Sequence, residues 1–135
     1  MKEIKKYLHT RKLAIEFILV KPRSKFSVNT FHKLRVEIKK LNALFDLLNS
    51  CSENFNRKKT FKPFKKIFRQ AGVVRELQLE ETLLKKLNLI SLLSEYMISL
   101  RKHRLTEQRF FFSMIDLKLN DRLKNKYKEI EPLLS

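Results

Sequence analysis

The stretch FHKLRVEIKKLNALFDLL, residues 31–48, decides the fold because its apolar side chains recur at the spacing of a helix. At about 100° per residue, one sector of such a helix collects Leu34, Ile38, Leu41, Phe45 and Leu48. An apolar sector of this width must be covered by other parts of the chain. The stretch therefore predicts an amphipathic α-helix within a packed helical protein.

The rest of the chain has the same helical character. One glycine and three prolines leave few helix breakers, and Leu, Lys, Glu and Ile favour helices. Thr60 is the predicted N-cap of the third helix, and Pro63 then falls in its first turn. Weaker breaks fall near Asn88 and Asn120. The predicted helices span about 2–20, 28–50, 61–87, 89–114 and 116–132. We expect an all-α antiparallel bundle of four to five helices, forming one domain over 1–135.

The chain is strongly basic. It carries 31 Lys and Arg residues against 14 Asp and Glu residues, a formal net charge of +17. A compact chain with this charge repels itself, and a bound anion relieves the repulsion. A polyanion is therefore the leading expectation for its partner.

Cysteine content and hydropathy bear on the compartment. The single cysteine, Cys51, cannot form an internal disulfide and has no neighbour at a metal-ligand spacing. No apolar run approaches the roughly 18 residues of a membrane span, and charges interrupt the N-terminal segment too often for a signal peptide. We expect a cytoplasmic protein without a transmembrane segment, metal or cofactor.

A first strip of basic side chains lies on the predicted helix 28–50. His32, Arg35 and Lys39 fall within about 60° of one another on the side opposite the apolar sector, and Lys33 and Lys40 flank them. The charged face of a surface helix is most often simply solvated. The distribution of charge along the chain argues against that interpretation here.

A second strip follows on the predicted helix 61–87. Lys62, Lys65, Lys66 and Arg69 occupy an arc of about 100°, and the phenylalanines of this segment lie on the far side. Residues 51–75 contain eight basic residues and one acid, whereas residues 76–100 contain four acids and two basic residues. Charge concentrated in this way indicates a binding surface rather than uniform solubilising charge.

Arg75 does not fit the pattern of its own helix. If the helical phase of residues 61–71 continues, its guanidinium turns toward the apolar side, where an unpaired charge is costly. Either the phase shifts at Gly72 or Arg75 has an anionic partner. That partner is a carboxylate, such as Glu76 or Glu80, or it is a bound ligand, and both alternatives stay open.

The segments TFHKLRVEIKKLNALFDLL and FKPFKKIFRQAGVVRELQLEETLL together resemble the two signature segments of the CHAD family, the conserved histidine α-helical domains. The resemblance covers roughly residues 28–85, with an acidic Glu where the family commonly has Asp. It implies an all-α fold with a basic surface that binds inorganic polyphosphate without catalysis. The matching residues are His32, Arg35, Lys39 and Lys40 in the first segment and Gly72, Arg75 and Glu76 in the second.

The strips and the resemblance together define a candidate site and a candidate partner. Family members usually pair two helical repeats about a pseudo-twofold axis, and one repeat here implies a homodimer. The candidate polyphosphate-binding residues are His32, Lys33, Arg35, Lys39, Lys40, Lys62, Lys65, Lys66, Arg69 and Arg75. The candidate dimer interface comprises Leu92, Leu93, Tyr96, Met97, Leu100, Phe110, Phe111 and Phe112, of which at least one phenylalanine must point away from the bundle.

The alternative function is nucleic-acid binding, because contacts to a phosphate backbone need no reading of bases. The chain has no Trp, and most of its Phe residues fall at core positions, so rings for base stacking are not evident. An enzyme is not expected, since no nucleophile and base, no glycine-rich phosphate loop and no acidic metal pair accompany the strips. We treat His9 and His103 as structural residues or bystanders.

Overall fold

A computed structural model describes residues 2–115 and 117–134 and confirms the predicted all-α class. Within these ranges the chain forms five α-helices and no strand, with short 3₁₀ turns at Arg23–Lys25 and Glu131–Leu134. The helices are α1 (Lys2–Leu19), α2 (Val28–Cys51), α3 (Arg57–Lys86), α4 (Ser94–Met114) and α5 (Leu117–Ile130). Both α1 and α2 end within a residue of the prediction.

The start of α3 corrects the prediction. Asn56, not Thr60, is the N-cap: its side-chain oxygen accepts a hydrogen bond from the Lys59 amide at 3.1 Å. The helix therefore begins at Arg57, Thr60 is buried within it, and Pro63 lies beyond its first turn. Asn caps at least as well as Thr and comes earlier in the chain, so the helix starts one turn sooner.

Two further boundaries differ from the prediction. Asn88 adopts a left-handed φ of 56°, which stops α3, and the chain then turns through the following residues so that α4 begins only at Ser94. Asn120 lies inside α5 rather than at a break. The predicted start of the last helix, residue 116, lies outside the described residues.

The main core surrounds α2, which packs against α1 on one side and α3 on the other. The apolar sector of α2 is buried as predicted, with Leu34, Ile38, Leu41 and Phe45 each 0% exposed. Neighbouring aromatic rings form two clusters at opposite ends of the helix. One cluster contains Phe26, Phe31, Phe111 and Phe112, and the other contains Phe45, Phe61, Phe64 and Tyr127.

The long helix α3 changes partners along its length. Its first half buries Phe64, Ile67 and Ala71 in the main core. Its second half forms a separate small core, in which Leu77 packs with Met97 and Leu100 of α4. We call residues 76–100 the hairpin end. This arrangement leaves the outer face of the first half of α3 beside α2, where both basic strips lie.

Candidate anion-binding surface

The seam between α2 and α3 is built around the guanidinium of Arg35. Its Cζ atom lies 4.3 Å from the centroid of the Phe68 ring, and Lys39 Nζ lies 5.9 Å from the same centroid. The face of an aromatic ring attracts cations by about 0.5–2 kcal/mol. The ring on α3 therefore holds two cations of α2 against the neighbouring helix.

Gly72 provides the space that Arg35 occupies. A Cβ atom at this position would lie 3.0 Å from Arg35 Cζ and 3.2 Å from its Nε and Nη2 atoms. Arg35 Nε is buried and has no hydrogen-bond partner among the described residues. Glycine at 72 is thus explained by the approach of a side chain, and this contact joins the two segments that carry the family resemblance.

One groove runs along the seam, and we call it the α2–α3 groove. Its floor is apolar, formed by Ile38, Phe61 and Phe68. Lys39 reaches it from α2, and Lys65 and Arg69 reach it from α3. The structure therefore brings together cations from both predicted strips, although they are about 30 residues apart in sequence.

A second groove, the outer groove, follows the exposed face of α3. In the part of the chain that the structure describes, its lining contains six cations and one amide, and no carboxylate. Lys58 and Lys59 belong to it but were not among the predicted site residues, because the prediction started α3 at 61 and left both in a loop. The lining residues are Asn56, Lys58, Lys59, Lys62, Lys65, Lys66 and Arg69.

These α3 cations lack the carboxylate partners that other basic residues have. Within the described ranges, no salt bridge involves a basic residue from Lys58 to Arg69. Arg57, one residue earlier, pairs with Asp46 at 2.5 Å. Glu53, the acid nearest in sequence, lines an adjoining depression but neither groove. Closely spaced and unneutralised cations create a positive potential that attracts anions.

Three predicted residues lie apart from this surface. Lys33 and Lys40 share the flank of α2 that carries Glu37, which forms a salt bridge with Arg11 of α1 at 3.1 Å and with Lys40 at 3.7 Å. His32 is exposed and lines neither groove. The flank of Lys33 and Lys40 therefore faces α1 rather than the α3 cations, and helical spacing alone does not say which flank faces which neighbour.

Arg75 is half-buried, and its Nε atom has no hydrogen-bond partner in the described part of the chain. Neither Glu76 nor Glu80 forms a salt bridge with it there. The buried side of α3 rotates between Ala71 and Leu77 because α4 replaces α2 as the main partner. Arg75 therefore lies at the margin of the core rather than within it.

Neither a metal site nor a membrane span emerges from the described residues. No group of three or more His, Cys, Asp or Glu side chains in 2–115 and 117–134 could hold a metal ion. Across the same residues, no helix combines the length and the apolar character needed to cross a bilayer.

No family model, curated protein or solved structure matches the chain. The geometry of the grooves therefore carries the functional argument.

Proposed function

We propose that this chain is a single-repeat member of the CHAD family and binds inorganic polyphosphate, without catalysis, on the surface formed by the two grooves. The observation that carries the proposal is the set of α3 cations, which line both grooves without a carboxylate among the described lining residues. Polyphosphate is a chain of closely spaced charges with no bases. Its recognition needs dense donors and cations rather than stacking platforms.

Arginine and lysine side chains of the two grooves offer different contacts to phosphate. Arg69, which lines both, can donate two parallel hydrogen bonds to phosphate oxygens, and the lysines supply mobile point charges. Lys39 adds a donor from α2. We expect Arg35 to act mainly by positioning, because its guanidinium already packs on Phe68 and Gly72.

Nucleic acid is the competing ligand, and the aromatic side chains argue against it. Phe61 and Phe68 line the α2–α3 groove, but Arg57 lies 5.6 Å from the centroid of the first ring and Arg35 covers the second. The more exposed rings, Phe17 and Phe110, line neither groove. Base stacking would need a free ring beside the cations.

The proposal is tested by titrating long-chain polyphosphate and duplex DNA, matched in total charge, at one salt concentration. We expect tighter binding of polyphosphate, with affinity that falls steeply as salt rises because bound counterions are released. Tighter binding of the duplex at the same salt concentration would refute the proposal and identify nucleic acid as the ligand.

Matched variants locate the binding surface. Replacing Lys65, Lys66 and Arg69 together by Gln should weaken binding by at least roughly tenfold, which is about 1.4 kcal/mol. The control replaces Lys6, Lys124 and Lys128, exposed lysines that line neither groove, and changes the net charge equally. Equal losses of polyphosphate affinity in both triple variants would show that the two grooves are not the binding surface.

The candidate residues His32, Arg35 and Lys39 lie together on α2 and could be replaced as a group. Arg35, however, is packed between the helices, so its loss would also disturb the seam. Lys39→Gln alone tests the α2 contribution, because Lys39 is exposed.

We further propose that the protein is a homodimer that works in the cytoplasm, where an exposed and unpaired Cys51 is expected to stay reduced.

The predicted interface requires correction. Met97 and Leu100 are buried inside the hairpin end, and Phe111 is buried in the main core. Phe110 is exposed, as expected for at least one of the three phenylalanines.

The revised interface is the apolar surface of the hairpin end. Leu79 and Leu83 lie on the side of α3 that faces α2, but they extend past the N-terminal end of α2 and are exposed. Leu92, in the turn that follows α3, is 78% exposed. This part of the chain has four acids and two basic residues, so two copies meet there with the least repulsion. A second copy is therefore the partner that this face fits best.

Light scattering at micromolar concentration across a salt series tests the dimer. Replacing Leu79 and Leu83 by Ser should convert the dimer to a monomer, whereas replacing Leu13 and Phe17, exposed apolar residues of α1, should not. A mass near 16.3 kDa under every condition would refute the dimer. Dissociation only in the α1 variant would move the interface to α1.

A further inference from the structure

A third groove lies outside the predicted site, between α3 and α5. Pro63 and Leu119 contribute apolar surface, and Lys66, Lys118 and Arg122 contribute positive charge. Among the described residues, its lining contains no carboxylate. Lys118 and Arg122 form no salt bridge with any acid in the described ranges. These features repeat those of the α2–α3 groove on the opposite side of α3.

Lys66 connects this third groove with the outer groove, because it lines both. Around the axis of α3, the exposed cations fill an arc of about 120°, from Lys65 on the side of α2 to Lys59 on the side of α5. Arg69, Lys62 and Lys66 fall between those two. The three grooves therefore form one continuous cationic path across α3, from Lys39 on α2 to Arg122 on α5.

The length of this path selects among anions. Packed helices lie about 8–10 Å apart, so a path from α2 across α3 to α5 covers about 16–20 Å. A short phosphate such as tripolyphosphate can occupy one groove but cannot reach both ends. A long chain can contact all three grooves. Once one groove holds the chain, the other two meet it at a high effective concentration, so the overall affinity rises.

We propose that Lys118 and Arg122 of α5 form a second binding subsite that makes the protein selective for long polyphosphate chains over short ones. This inference rests on the proposed function and extends its site to a helix that the two signature segments do not include. A short phosphate is held by the cations of one groove at a time, whereas a chain that crosses α3 contacts the α5 cations together with those of the other two grooves.

Two double variants on the same helix provide the test. Lys118→Gln with Arg122→Gln removes the proposed subsite. Lys124→Gln with Lys128→Gln removes the same charge from the other flank of α5, where Lys124 lines a groove together with Glu16. All four side chains are exposed, so we expect both variants to fold, which circular dichroism melts would check.

Affinities for tripolyphosphate and long-chain polyphosphate are then compared at several salt concentrations. We expect the Lys118 and Arg122 variant to bind the long chain roughly tenfold more weakly, with a salt dependence lower by about one to two in log–log slope. Its affinity for tripolyphosphate should fall much less than its affinity for the long chain. The Lys124 and Lys128 variant should behave like the wild type apart from a small general effect of net charge.

The outcomes separate this inference from the proposed function. Equal effects of the two double variants on the long chain, or equal losses for short and long chains, would overturn the α5 subsite while leaving polyphosphate binding in place. A wild-type protein that binds neither polyphosphate would overturn both proposals. A triple α3 variant that loses both ligands, beside an α5 variant that loses only the long one, would support both.

Discussion

At the residue scale, Gly72 shows how a single contact links fold and site. A Cβ atom at this position would lie 3.0–3.2 Å from atoms of the Arg35 guanidinium, closer than ordinary van der Waals contact. We expect Gly72→Ala to change stability by less than about 1 kcal/mol, because the flexible Arg35 side chain can yield and Ala favours the helix. Gly72→Leu should cost about 1–3 kcal/mol, the usual penalty for overpacking. Thermal melts followed by circular dichroism would measure both values.

A double-mutant cycle distinguishes the cause of that penalty. If Arg35 is the group that the larger side chain displaces, Arg35→Ala should recover much of the stability lost in Gly72→Leu. No recovery would mean that the α2 backbone, rather than Arg35, sets the limit at position 72.

Tyr127 predicts an alkaline limit to stability. Burial raises the pKa of its hydroxyl well above the ordinary 10.0, and the nearby Glu16 carboxylate raises it further. Above about pH 10 the unfolded chain releases this proton and the folded chain keeps it, so stability present below that pH is lost as the pH rises. The Tyr127→Phe variant should therefore lose less stability than the wild type between about pH 7 and about pH 11.

At neutral pH the same substitution should be neutral or stabilising by up to about 1 kcal/mol. The Tyr127 hydroxyl oxygen is buried and has no hydrogen-bond partner in the described part of the chain, so removing it breaks no bond that the structure shows. Chemical denaturation at both pH values measures the effect. A parallel loss of stability in variant and wild type would show that other groups set the alkaline limit.

At the scale of elements, the hairpin end should open more easily than the main core. Its small apolar core is supplemented by Glu81, which is buried and hydrogen-bonded to Arg104 and lies 3.7 Å from Arg101. We expect Glu81→Gln to cost about 1–3 kcal/mol of local stability, because it removes one member of a largely buried charge pair. Hydrogen exchange should accelerate at amides of residues 77–104 and stay unchanged at residues 31–48.

The control for this prediction is Glu129→Gln. Glu129 is exposed and pairs with Lys126 at 3.5 Å, an arrangement that contributes less than about 1 kcal/mol. It should leave exchange in both regions nearly unchanged. Uniform acceleration along the whole chain in Glu81→Gln would mean that the hairpin end and the main core unfold together.

At the scale of the whole molecule, the net charge of +17 makes stability depend on salt. The Debye length shortens from about 10 Å at 0.1 M salt to about 3 Å at 1 M, which weakens the repulsion between the basic residues. The melting temperature should therefore rise with sodium chloride. The triple variant at Lys65, Lys66 and Arg69 should melt higher than the Lys6, Lys124 and Lys128 variant at low salt, because it relieves the densest repulsion. Identical melting temperatures at low salt would show that the total charge matters and its clustering does not.

The helical class, the buried face of α2 and the concentration of basic residues before the hairpin end were all predictable from the amino-acid sequence. These follow from local periodicity and composition, which survive any arrangement of the helices. At the start of α3, Asn56 is an earlier cap than Thr60 and at least as good a one, so the helix begins one turn before the predicted position. The separation of Lys33 and Lys40 from the site depends on which flank of α2 faces α1.

The way in which the charges combine depends on how the helices pack. Phe68 and Gly72 become partners of Arg35 because α2 and α3 run antiparallel at a fixed register, a relation that joins residues far apart in the chain. Lys118 and Arg122 had no helical pattern that distinguished them from other surface cations, and their closeness to Lys66 results from the packing of α5 on α3. Such proximity arises from long-range packing, which periodicity within one helix does not encode.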